Sequence, residues 1–172
     1  MLGLPKGEVF LVPWSHRWVQ EFEAEKSLIE TKIGDYILAV HHIGSTAVQG
    51  LSAKPILDIA IEVDRFELGE MCVTALEEMG YDYKGTDILP DRHYFSKGEP
   101  RTHQIHMYER GNHYLTEQLN FRDYLRKNED AKEDYERFKI RLSKAHETDK
   151  HRYAKDKTDF VKTILRKIET LE

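Results

Sequence analysis

Two short apolar runs, Ile37–Ile43 and Ile56–Val63, constrain this chain more than any other feature. Both are rich in Ile, Leu and Val, the composition of buried strands. Pro55 opens the second run, where a missing backbone N–H costs no ladder hydrogen bond. The segment between them, Gly44-Ser45-Thr46-Ala47-Val48-Gln49-Gly50, is made of small and polar residues and reads as a loop. Two such strands need sheet partners and covering helices, so the chain must fold as a layered α/β or α+β structure.

The remaining sequence provides both. Ser15 is an N-cap for a helix through about Ile33 that carries Trp18, Phe22, Ile29 and Ile33 on one face. Glu67–Met79 is a second helix, with Leu68, Met71, Cys72, Ala75, Leu76 and Met79 as its buried stripe and Gly80 as its stop. Val9–Val12 reads as an edge strand, Tyr81–Lys84 and His93–Lys97 as weaker strands, and His103–Glu109 as a clear one. From about Tyr114 the pattern is helical, with breaks near Asn128 and Thr148, so three helices are expected. The expected organisation is one domain over 1–172, with a mixed-sheet core to about 112 and a helical region from about 113 packed on it. Its class is α+β.

Composition narrows the function classes. With 172 residues, 40% hydrophobic, 33% charged and a mean hydropathy of −0.66, this is a polar globular chain. The sole cysteine, Cys72, excludes an intrachain disulfide framework and reads as a core filler. No basic start precedes an apolar run, and no run spans a membrane, so the expected location is the cytoplasm. The net charge of −5 is uneven. Residues 1–121 hold 11 Lys and Arg against 19 Asp and Glu, whereas residues 122–167 hold 15 against 10. An anion would bind where the two portions meet; ordinary solvated helix faces are the alternative.

The segment from His41 to Val63 carries the most chemistry. Gly44 lets backbone approach a ligand, and Ser45 and Thr46 offer hydroxyls and N–H groups to phosphate oxygens. Asp58 is a lone carboxylate in an apolar strand and needs compensation. Mg²⁺ would provide it; a backbone hydrogen bond or a pairing with Lys54 is the alternative. Lys54 itself suits either a phosphate contact or that ion pair. His103 and His106 are three apart on a strand and so face opposite sides. Arg122 and Arg126, at i and i+4, face one way, either to clamp phosphates or to pair with acids on the sheet. Tyr135-x-x-x-Lys139 and Tyr153-x-x-x-Lys157 read as amphipathic surface with lysine stems over tyrosine rings, unless they gather around the loop.

His42-Ile43-Gly44-Ser45-Thr46, Gly50-Leu51-Ser52-Ala53-Lys54-Pro55 and Asp58 resemble the most distinctive stretch of the GrpB family, small bacterial proteins of the nucleotidyltransferase-fold superfamily. His103-Gln104-Ile105-His106 resembles its His-x-x-His strand, and Phe121–Arg126 its next block. Tyr135, Lys139, Leu142, Tyr153, Lys157 and Phe160 fall at its tail positions. The resemblance implies a nucleotidyltransferase-like fold in which Gly44 and Ser45 contact nucleotide phosphate and Asp58 holds Mg²⁺ or Mn²⁺. The superfamily pairs that acid with a second one at i+2, but here that position is Ala60. Glu62 lies on the same face, roughly 13 Å from Asp58 by strand rise. His106 stands where a third carboxylate is common, so Asp58 and His106 are the expected metal and catalytic residues.

Two functions follow from the resemblance. One is transfer of a nucleotidyl group from an NTP to a small molecule, with Gly44, Ser45, Thr46, Lys54, Arg122 and Arg126 on the phosphates. The other is a non-catalytic module that binds a nucleotide or another phosphorylated anion. Some relatives are joined in one chain to dephospho-coenzyme A kinase, which suggests a link to coenzyme A metabolism. The residues carry no recognised nucleic-acid motif. They leave the oligomeric state open.

Overall fold

The apolar run after Pro55 becomes β2 (Leu57–Val63), second in a five-stranded mixed sheet. The computed structural model describes residues 1–171. The other strands are β1 (Ala39–Ile43), β3 (Tyr81–Gly85), β4 (His93–Lys97) and β5 (His103–Glu109), in spatial order β1-β2-β5-β4-β3. Only β2 and β5 pair in parallel. A parallel pair needs a long crossover, and here α2 (Leu68–Glu78) and the β3–β4 hairpin form it. α1 (Arg17–Ile33) precedes the sheet, and α3 (His113–Lys127), α4 (Glu129–Ala145) and α5 (Lys150–Glu169) follow it. The architecture is the mixed α+β class that the sequence pattern predicts. Among the described residues, no helix is long and apolar enough to cross a membrane.

Strand alternation gives the sheet two different faces. Leu57, Ile59, Ile61, Val63, Ile105, Met107 and Phe95 pack against Trp18, Phe22, Ile29 and Ile33 of α1 and Cys72 and Leu76 of α2. That is the main core. On the opposite face Ile43, Ala60 and Tyr108 meet Leu115 of α3 in a much smaller cluster. The C-terminal helices therefore cover this face only in part, and Asp58 lies on the part left open.

The structure corrects two expectations. Val9–Val12 forms no strand. Only Val12 makes a single bridge, to Ala53, while Val9 packs on Leu142 and Tyr153 and donates its N–H to the Glu147 carbonyl. Its apolar surface finds burial on the helical region instead of the sheet. Met71 is not in the buried stripe of α2; it is exposed. The helix comes so close to β4 at Gly69 that a Cβ there would lie 2.2 Å from His93 Cδ2. That contact centres the stripe on Gly69, Cys72 and Leu76 and turns Met71 outward.

Candidate functional site

β1 ends at Ile43, directly opposite Asp58 on β2. The next residue, Gly44, has φ +74° and begins the single 3₁₀ turn Ser45–Ala47. Glycine is needed here twice over, for the left-handed φ and because a Cβ would sit 2.9 Å from Asp58 Oδ2. The turn and the carboxylate are thus in direct contact.

Asp58 is held by a chain of buried polar groups. Arg92 Nη1 donates to His106 Nδ1 at 3.3 Å, which leaves the Nε2 hydrogen of His106 to Asp58 Oδ1 at 3.2 Å. Arg92 is buried and lies over the rings of Tyr108 and Tyr114, 4.8 and 5.2 Å from their centroids. Burial alone would raise the Asp58 pKa. The His106 hydrogen bond, with the charges of Lys157 and Lys54, outweighs it and holds the carboxyl below its usual range. Its side chain keeps 33% exposure and lines the opening on this face.

That opening is a cavity of about 190 Å³ lined by Ser45, Thr46, Lys54, Asp58, Gln104, Lys139, Tyr153 and Lys157 among others. The Tyr-x-x-x-Lys repeats of α4 and α5 therefore do gather around the loop, contrary to the surface reading. Lys139 is fully buried and donates to the Ser52 carbonyl. Lys54 lies 5.2 Å from the centroid of the Tyr153 ring, and burial lowers its pKa to about 8. Burial also pushes Lys139 well below the ordinary lysine range. The buried Tyr153 hydroxyl has no hydrogen-bond partner. An adjoining groove of about 380 Å³ shares Ser45, Lys54 and Lys157 and runs between α3 and α5 along Tyr114, Phe121, Tyr135, Val161 and Leu165.

Arg122 and Arg126 are elsewhere. Arg122 Nη1 donates to the His42 carbonyl at 3.0 Å, and Arg126 gives two hydrogen bonds to the Ala47 carbonyl, at 3.0 and 2.7 Å. They brace the turn from its outer side, and neither lines the cavity or the groove. α4 continues the brace: Lys132 donates to the Gln49 carbonyl and Glu136 accepts from the Ser52 N–H. Thr46 is tied to His42 Nε2 at 2.9 Å. His103 points to the other face, against Tyr81, away from His106.

A family model, "GrpB protein", matches residues 8–167. The chain belongs to the GrpB family. The glutamate-rich protein GrpB of Alkalihalophilus pseudofirmus is 36% identical over 171 residues, covering 96% of this chain and 98% of that one. The UPF0157 protein YqkA of Bacillus subtilis is also 36% identical, over 92% of this chain, but the chain spans only 47% of its length. The crystal structure of GrpB from Enterococcus faecalis superposes with a TM-score of 0.87 at 34% identity, over 95% of this chain and all of that one. Cid1, solved in complex with its short product ApU, matches 77% of this chain and 42% of that one, with a TM-score of 0.54 at 12% identity. That last likeness is one of fold alone.

The residues of this GrpB chain do not fit the divalent cation that the resemblance to nucleotidyltransferases implies. Asp58 is the one carboxylate at the turn; Ala60 occupies i+2, and Glu62 is engaged 2.9 Å from His41 Nε2. Among the described residues, no three His, Cys, Asp or Glu groups converge as a metal site would require. His106 already donates to Asp58, so the pair satisfies itself.

Proposed function

We propose that this GrpB-family protein binds a phosphorylated small molecule, a nucleotide foremost, with the phosphates in the cavity beside Gly44 and Ser45. One observation carries the reading: Lys54, Lys139 and Lys157, from three separate elements, line a cavity whose only carboxylate is Asp58. Cation excess in a partly enclosed space focuses the field on an anion. The adjoining groove, apolar along Tyr114, Phe121, Val161 and Leu165, suits the non-phosphate body of the ligand.

Thermal melting with ATP, GTP, CTP, UTP and pyrophosphate tests the reading. A ligand at about 100 times its Kd stabilises by about 2.7 kcal/mol, which for a chain of this size raises Tm by roughly 5–10 °C. Adenosine without phosphate should give no such shift. Failure of every phosphorylated compound to move Tm refutes the reading.

Nucleotidyl transfer is the second reading, supported by Asp58 standing against the Gly44 turn with His106 ordered upon it. Release of pyrophosphate from an NTP, lost in Asp58→Asn, is its test.

A further inference from the structure

We infer that the amino groups of Lys54, Lys139 and Lys157 take the place of the divalent cation, so that this cavity binds the phosphates of its ligand without a metal. The inference rests on the phosphate-binding reading above and specifies how that site neutralises charge. A divalent ion in a nucleotidyltransferase-type core does two things: it cancels phosphate charge and it fixes oxygen positions. The donor set for the ion is missing here, since position i+2 is Ala60 and Glu62 is bound to His41. Three lysine amines line the cavity instead, and a bound phosphate favours their charged form.

These cations are arranged as ligand-binding groups rather than as solvated charges. Lys54 ends the loop that Gly44 begins, Lys139 comes from α4 and Lys157 from α5, and all three line the same cavity as Ser45 and Asp58. Lys139 is 1% exposed and aimed by its bond to the Ser52 carbonyl. Charged amines that line one cavity repel one another and repel any incoming dication. A phosphate removes that repulsion and a dication adds to it. Asp58 then serves as the fixed counter-charge of the lysines, not as a metal ligand. The unpartnered hydroxyl of Tyr153, on the same wall, adds a neutral donor for a phosphate oxygen.

Calorimetric titration of the full chain with pyrophosphate and with ATP, each in EDTA and in excess Mg²⁺, decides the matter. Affinity in EDTA should equal or exceed that in Mg²⁺. Lys157→Met and Lys54→Met should each weaken metal-free binding by about tenfold or more, as loss of a charge-assisted contact does. Melting of each variant without ligand shows that it folds. Lys157→Arg, which keeps the charge, should retain most of the affinity if Lys157→Met proves unstable. Binding that appears only with Mg²⁺ overturns the lysine inference and leaves the phosphate reading standing. Metal-free binding that ignores both methionine variants also overturns it. No binding in either condition overturns both.

Discussion

His42 and His103 show what single buried groups do to this protein. His42 stacks on Phe22 at 4.6 Å between ring centroids, and burial lowers its pKa to about 4. Burial takes His103 to about 4 as well, and its buried Nε2 has no partner. A histidine that stays neutral in the native state while the unfolded chain takes up a proton contributes stability above pH 6.5 that is lost as pH falls toward 4. Each should cost about 2 kcal/mol by about pH 5, so urea midpoints should drop between pH 7 and pH 5. His103→Leu should remove close to half of that drop. Gly44→Ala acts differently, through φ +74° and the 2.9 Å approach to Asp58 Oδ2. It should destabilise by about 1–3 kcal/mol and weaken pyrophosphate binding at a pH where the wild type is fully folded, as equilibrium unfolding and calorimetry would show.

At the scale of elements, the helical region works as a clamp on one loop. α3 holds the turn through Arg122 and Arg126, and α4 holds residues 49–52 through Lys132, Glu136 and Lys139. Arg126→Ala should leave the Ala47 carbonyl without its two bonds. Arg126 is 44% exposed along its side chain, so water can replace the guanidinium, and the global loss should stay near about 1 kcal/mol. Local opening should be larger: hydrogen exchange at Ala47 and Val48 should quicken while β2 amides hold their protection. Most elements could be read from the sequence because their periods are strong. β4 and β5 have the expected bounds, and the helical breaks fall near Asn128 and Thr148. The contact of Gly44 with Asp58 could not be read, since the sequence sets neither the antiparallel pairing nor the register that brings them together. Nor could the roles of Lys139 and Lys157. Helical periodicity tells which residues share a face but not what that face meets, and here the partner is a loop about 90 residues earlier in the chain. The repeated Tyr-x-x-x-Lys was the signal, and it fits a solvated surface equally well until α4 and α5 are placed.

Across the whole molecule, the acidic and basic portions seen in the charge count meet at Lys54. This residue lines the central cavity, the α3–α5 groove, and a third hollow of about 260 Å³ that also takes in Lys6, Lys84, Arg101 and Lys150. Glu8 and Glu99 share that hollow, so its charge is mixed, with basic groups in excess. The pairing of β2 has a kinetic consequence too. Its parallel partner β5 is separated from it by α2 and a hairpin, so Asp58 and His106 come together only after the longest-range pairing of the sheet has closed. The helices that bring Lys139 and Lys157 follow later still in the chain. A ligand that needs all of these groups has nothing to hold in a half-folded chain. It should prolong the life of the finished molecule by slowing its unfolding, and leave the rate at which that molecule forms unchanged.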